Sequence, residues 1–197
     1  MESLPDLHNG YIVKRILREK HVEGKMSRLV LEFDSMNENE RYRMVHEIYG
    51  ESNLENVKWD NPEVEDFSKL LFEYEKGYMD FVQSFLVNEK NRYYIFEING
   101  QWVSALRMTK VEDFYYLEAL ETAKHYRKKG YGTEFLQELI RMLKKRGKVI
   151  IRSNVSKKNT ASLALHRKCG FAIEKENGIN YLTGEQRASV YGMVYRD

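Results

Sequence analysis

The 197-residue chain predicts an α/β domain, a mixed sheet flanked by helices, and three observations predict it. Residues 93–110 alternate in polarity around the pair Asn99-Gly100. That pair supplies the two positive φ angles of a type I′ turn, so the stretch reads as an antiparallel hairpin. Residues 114–155 read as strand, helix, strand, which makes a parallel crossover. Residues 61–86 carry Phe67, Leu70, Leu71, Tyr74, Tyr78, Phe81, Phe85 and Leu86 at a 3.6-residue period, an amphipathic helix whose aromatics face a core or a pocket.

Each element follows in order. Residues 11–20 place Ile12, Ile16 and Leu17 at helical spacing, and the segment ends at Gly24, so residues 1–25 read as an appendage and 26–197 as one domain. Residues 29–33 form a strand, and Asn37 caps a helix over 38–50 with Met44, Val45 and Ile48 on one face. Residues 51–61, which hold Trp59, read as loop, and Asn61 with Pro62 in the first helical position opens the long helix. After the hairpin come a strand at 114–122, a basic loop, a helix at 131–146 closed by Gly147, and a strand at 149–155. A short helix at 159–168 ends at Gly170, and residues 171–176, 180–184 and 188–196 are strand-like.

Hydrophobic residues at 42% and charged residues at 31% match ordinary globular usage, which excludes disorder throughout. The lone Cys169 excludes an internal disulfide framework and a multi-cysteine zinc site, and its surroundings read as core. Neither a membrane span nor a secretory leader is evident, so the expected address is cytoplasmic. No histidine pair has metal-ligand spacing, and no metal is expected. The net charge of +2 hides an asymmetry: residues 34–90 hold 14 acidic and 6 basic side chains, and residues 123–158 hold 12 basic and 2 acidic. Solvated helix faces account for such segregation, and so does a site with one cationic and one anionic substrate.

The run Arg127-Lys128-Lys129-Gly130-Tyr131-Gly132-Thr133 lies between a strand and a helix. Backbone N–H groups at a helix N-terminus, approached closely past glycines and flanked by cations, suit a pyrophosphate. A turn carrying a solvated basic patch is the plainer alternative. The GxxxxGK[ST] and GxGxxG patterns are absent, which excludes nucleotide hydrolysis of the P-loop type and a dinucleotide fold.

With RxxGxG as Arg127, Gly130 and Gly132, the apolar strand before it, and the later run from Asn159 through His166 to Gly170-Phe171, the chain resembles the GNAT superfamily of acyl-CoA-dependent N-acyltransferases. The likeness runs from Leu29 onward. It implies a splayed mixed sheet of about six to seven strands and acetyl-CoA as acyl donor. It also implies that Arg127, Lys128, Lys129, Gly130, Tyr131, Gly132 and Thr133 hold the pyrophosphate. Main-chain groups of Leu120, Glu121 and Thr122 would pair with pantetheine, and Asn159 would contact its arm. The tyrosine that often protonates the leaving thiolate aligns with His166, and Lys124 replaces a common proline.

The chemistry ranks the catalytic candidates. An amine with a pKa near 10.4 must lose a proton before attack, about 4 kcal/mol at neutral pH, whereas a thiolate of pKa about 8.5 needs about 1.5 kcal/mol of help. A base therefore matters more than an acid, and Glu118 and Glu121 stand on the strand leading to the loop. Strict alternation points them to opposite faces unless the strand bulges, and Glu121 is favoured for its nearness to the thioester. His166 is the candidate acid.

The resemblance places the acceptor between the first helices and the C-terminal strands, where the chain offers Trp59, Asp60, Tyr181 and Glu185. The expected reaction is acetyl transfer by direct attack of a primary amine, a cationic small molecule by the charge asymmetry. A peptide or protein amine is the alternative acceptor, and a non-catalytic acyl-CoA-binding module the alternative role. The basic stretch lacks the interleaved aromatics of a nucleic-acid reader, no membrane partner is expected, and a homodimer is left open.

Overall fold

The computed structural model describes residues 15–17 and 27–197. In chain order the elements are β1 (Arg15–Leu17), β2 (Arg28–Phe33), α1 (Glu38–Arg43), α2 (Gly50–Asp60), α3 (Ser68–Leu86), β3 (Asn91–Ile98), β4 (Gln101–Val111) and β5 (Phe114–Thr122). There follow α4 (Tyr131–Lys144), β6 (Ile150–Ser156), α5 (Thr160–Lys168), β7 (Ala172–Lys175), β8 (Gly178–Ile179), β9 (Gln186–Arg187) and β10 (Val190–Arg196). The sheet order is β1-β2-β3-β4-β5-β6-β10-β7, with β8 and β9 paired apart from it. Among the described residues only β5 and β6 run parallel, bridged by α4, so the sheet is mixed as predicted. Seven of its strands are those expected, and β1 adds an eighth at the edge.

The hairpin forms as read, with Asn99 at φ 50° and Gly100 at φ 79°. Asn37 caps α1 in a reciprocal box: its Oδ1 accepts from the Glu40 N–H at 2.9 Å and its own N–H donates to Glu40 Oε2 at 3.0 Å. Five expectations need correction. Within residues 11–20, Arg15–Leu17 is a strand rather than helix, because the outer edge of β2 offers it backbone partners; the remainder of that stretch lies outside the described residues. The helix from Glu38 does not run unbroken to Gly50: a π-helical turn, Met44–Ile48, brings Met44, Val45, Ile48 and then Tyr49 all inward. The expected loop at 51–61 is α2, hard to see because its buried stripe is only Asn53 and Val57. Asn61 ends that helix instead of starting the next, its N–H and side-chain Nδ2 both bonded to the Val57 carbonyl, and Asp66 Oδ1 accepts from Ser68 N–H where α3 begins. Residues 180–184 form a turn rather than a strand, because Asn180 binds the N–H of Leu182 with its side chain and that of Gly184 with its carbonyl.

Two cores lie on the two faces. Leu106, Met108, Leu117, Phe135, Leu136, Leu139, Ile151 and Leu163 pack α4 and α5 on one face. Phe33, Met44, Val45, Ile48, Tyr49, Val82, Tyr93, Ile95 and Ala105 pack α1 to α3 on the other.

Candidate active site

The site grows from an irregularity in β5. Arg107 on β4 pairs with Glu118, and Ala105, two residues earlier, pairs with Glu121, so β5 carries one residue more than β4 over this interval. The extra residue is accommodated at Ala119, which takes φ 51°, a bulge geometry. The bulge reverses the parity of the strand. Arg107 and Ala105 share a face, so Glu118 and Glu121 do too: the bulge is the exception under which strict alternation does not hold. That face is the one covered by α1 to α3.

The opposite edge of β5 opens at the same place. Pairing with β6 runs from Tyr115↔Ile151 to Leu117↔Ser153 and stops there, so the two parallel strands part just before the bulge. Beyond the opening lies the N-terminus of α4. Lys128 (φ 61°) and Gly130 (φ 83°) take left-handed conformations around Lys129, a succession that gathers N–H groups into a concave nest. The N–H groups of Gly130, Tyr131, Gly132 and Thr133 belong to the first turn, which has no intrahelical carbonyls to serve them. Lys128, Lys129 and Gly130 are exposed, and Lys129 Nζ stands 5.6 Å from the Tyr126 ring. Such a nest with cations at its rim fits a pyrophosphate.

The two glycines do different work. A Cβ at Gly130 would enter open space, whereas one at Gly132 would come within 2.9 Å of Leu165 Cδ1 and 3.0 Å of Thr122 Oγ1. Gly130 supplies the left-handed start of the helix; Gly132 lets α4 lie close to β5 and α5.

Arg127 turns back from the loop. Its Nε donates to the Thr122 carbonyl at 3.0 Å, Nη2 to Glu121 Oε1 at 3.2 Å, and Nη1 to Glu51 on α2. Lys124 also binds Glu51, at 2.5 Å, and the two cations hold the Glu51 carboxyl below its ordinary range. Glu121 is held on both oxygens: Oε1 also accepts from the Thr122 N–H at 3.1 Å, and Oε2 from Ser52 Oγ at 2.9 Å. Thr122 thus has both main-chain groups engaged, and Glu121 pairs with Ala105 on β4, which leaves Leu120 as the backbone next to the opened edge. Glu118 is more loosely held, by Arg107 at 3.4 and 3.5 Å, the outer limit of hydrogen bonding. Arg107 itself lies over the Phe81 ring at 4.9 Å.

Around these carboxylates stand phenols. Tyr49, between the π-helical turn and α2, donates its hydroxyl to the Ala119 carbonyl at 2.8 Å; burial, with Tyr78 and Tyr93 alongside, pushes its pKa well up and keeps it protonated. Tyr116 accepts from Asn154 Nδ2 at 2.9 Å and is pushed up to about 12 by burial. Of the acceptor-side candidates, Tyr181 reaches this floor, its ring 5.0 Å from Phe114 and 5.3 Å from Tyr116. Glu185 pairs with Arg187 on the exposed β9 hairpin. Trp59, 86% exposed, and Asp60 sit at the far end of α2, about 12 Å along the helix from Ser52.

His166 is only 2% exposed, and its Nδ1 meets the Ser162 carbonyl at 2.8 Å. A carbonyl only accepts, so Nδ1 carries the proton and Nε2 is a lone pair, buried and without a partner. Burial also lowers its pKa, so the ring is neutral and Nε2 has no proton to give. Asn159 caps α5, its Oδ1 accepting from the Ser162 N–H at 2.9 Å. Cys169 lies in the core with its thiol pushed up to about 11 by burial. Among the described residues no cluster of three or more His, Cys, Asp or Glu is arranged for a metal, and no helix is long and apolar enough to cross a membrane. Tyr49, Glu51, Ser52 and Arg107 were not visible as site residues in the sequence, where no motif marks them.

A sequence model of the acetyltransferase (GNAT) family matches residues 45–171. Among curated proteins none matches. Solved structures do. PaiA N-acetyltransferase from Thermoplasma acidophilum in complex with coenzyme A is 15% identical with TM-score 0.58, covering 85% of this chain and 99% of that one. A GNAT-family acetyltransferase from Streptococcus pneumoniae is 18% identical with TM-score 0.55, covering 85% and 99%. The ribosomal-protein-S18-alanine N-acetyltransferase of Escherichia coli is 18% identical with TM-score 0.53, covering 87% and 92%. At these identities the likeness is one of fold.

Proposed function

Because the chain belongs to the GNAT acetyltransferase family, we propose that it moves the acetyl group of acetyl-CoA to a primary amine by direct attack, with Glu118 as the general base. One observation carries the reading: the Ala119 bulge turns Glu118 and Glu121 to the face under α1 to α3, beside an opened β5 edge that leads to the α4 nest. The pyrophosphate lies in the nest of residues 128–133, with Lys128 and Lys129 at its rim, and Arg127 serves it by bracing the loop on Thr122, Glu121 and Glu51. Leu120 offers its backbone groups to pantetheine, Glu121 being paired with Ala105 on β4, and Asn159 at the start of α5 serves that arm.

The acceptor enters from the α1 to α3 side and gives its ammonium proton to Glu118, directly or through one water. Its nitrogen then forms a bond to the thioester carbon, the tetrahedral adduct gives the nitrogen's second proton to solvent, the C–S bond breaks, and the leaving thiolate takes a proton from solvent. Glu118 suits this better than Glu121, whose two oxygens are occupied by three donors. The acceptor is a cationic small-molecule amine, on the strength of the exposed acids of α2 and α3. A peptide amine is the second reading, favoured by exposed Trp59 and Phe72 on those same helices. Thiol release from acetyl-CoA across a panel of diamines, neutral amines, anionic amino acids and basic peptides tests the proposal. Diamines should lead; a panel led by anionic amino acids would overturn the cationic acceptor, and no turnover with any amine would overturn the reaction.

A further inference from the structure

The turn at residues 49–52 grips the β5 region at three points. Tyr49 holds the Ala119 carbonyl, Ser52 holds Glu121, and Glu51 holds Arg127. Of these, the Tyr49 contact bears on the least comfortable piece of backbone in the strand. Ala119 sits at φ 51°, a conformation an alanine adopts at a cost and keeps only where its surroundings over-determine it. The Tyr49 ring cannot drift: it is 4% exposed, locked between the core of the α1 to α3 face and the Tyr78 ring at 5.3 Å. A peptide unit is planar and trans, so fixing the Ala119 carbonyl fixes the Leu120 N–H, which points the opposite way.

We propose that Tyr49 is a positioning residue for acetyl transfer, its buried hydroxyl setting the plane of the Ala119–Leu120 peptide at the β5 bulge. The inference rests on the reading that places acetyl-CoA along Leu120. Tyr49 touches neither substrate; it orients the peptide unit that faces the thioester, and by the same contact keeps the bulge that brings Glu118 and Glu121 to one face. Removing the hydroxyl while keeping the ring leaves packing intact and frees the peptide to turn, which misaligns the reacting groups more than it weakens cofactor binding.

The test is Tyr49→Phe in the full chain, followed by kcat, KM for both substrates, calorimetric Kd for CoA, melting temperature and a pH–rate profile. The expected result is a roughly tenfold or greater fall in kcat. CoA Kd and melting temperature should be nearly unchanged, and the profile should keep its shape because the lost group does not titrate. Wild-type kcat would overturn the inference. So would a fall in kcat matched by an equal loss of CoA affinity or by a large loss of melting temperature, which would make the contact a general support, or loss of one limb of the profile, which would make Tyr49 an acid. Failure of the cofactor reading shows separately: Gly130→Asp would then bind acetyl-CoA as well as the wild type does.

Discussion

The two faces of the sheet differ in how far apart in sequence their defining contacts lie. On the α4–α5 face, the nest is one continuous run, and its closest support, Leu165 against Gly132, comes from the next helix. On the α1 to α3 face, Tyr49 reaches Ala119 across 70 residues, Ser52 reaches Glu121 across 69, and Glu51 reaches Arg127 across 76. On the proposed function, the first face would hold the cofactor with locally encoded geometry, and the second would arrange the reacting groups with tertiary contacts. Damage to one should appear as lost affinity or stability, and damage to the other as lost turnover.

The largest effect should come from the reacting face. Glu118→Gln is expected to lower kcat by about 10²- to 10⁴-fold, the usual worth of a general base, with the deficit shrinking as pH approaches the amine's own pKa. Glu121→Gln should act differently, raising the KM for acetyl-CoA by loosening the hold of Arg127 on the loop while costing less in kcat. His166→Gln should cost least, because its Nε2 carries no proton. Steady-state kinetics from pH 6 to 9.5 check all three, and a Glu118→Gln enzyme with wild-type kcat at pH 7 would assign the base elsewhere.

The contrast also explains what the sequence reveals. The hairpin, the crossover, the Asn37 cap and the glycine-bearing loop are legible because each is decided by residues a few positions apart. Residues 51–61 look like loop because α2 buries only Asn53 and Val57 and owes its stability to what it touches. Glu118 and Glu121 were legible as candidates but not in their orientation: a bulge at an alanine has no sequence mark, as one at a glycine would. Arg127 was legible as part of the loop, yet its side chain serves the other face, a role set by Glu51, Thr122 and Glu121 together.

A second comparison, within the cofactor face, sharpens the first. Gly132→Val forces atoms into Leu165 and Thr122 and should cost about 1–3 kcal/mol, a fall of several degrees in melting temperature. Gly130→Asp has room for its side chain and a residue type that tolerates left-handed backbone, so it should cost about 1 kcal/mol or less. Its added carboxylate should nonetheless weaken acetyl-CoA binding more than Gly132→Val does in the folded fraction. Calorimetry paired with thermal melts separates the two. The reverse ranking would mean that the phosphate lies against Gly132 and that the exposed nest is only a turn.

The smallest expected effect concerns the charges of the two faces. On the floor of the reacting face the acids are already matched: Arg107 offsets Glu118, Arg127 offsets Glu121, and Lys124 with Arg127 offsets Glu51. Any long-range pull on a cationic acceptor must therefore come from the rim, where Glu55, Asp60, Glu63, Glu65, Asp66, Glu73 and Asp80 are exposed on and between α2 and α3. Rim charges act through water and steer encounter rather than hold the bound amine, so salt should screen them once the Debye length falls below about 8 Å. At saturating acetyl-CoA, kcat/KM for a triamine should fall several-fold between about 0.05 and 0.5 M salt while kcat stays level, and a neutral amine should respond little. Reversing two rim charges, Glu73→Lys with Asp80→Lys, should reproduce the loss at low salt and flatten the salt dependence. An unchanged kcat/KM in that double variant would mean that these acids are a solvated helix face with no part in capture, and that selection of the amine rests on the floor alone.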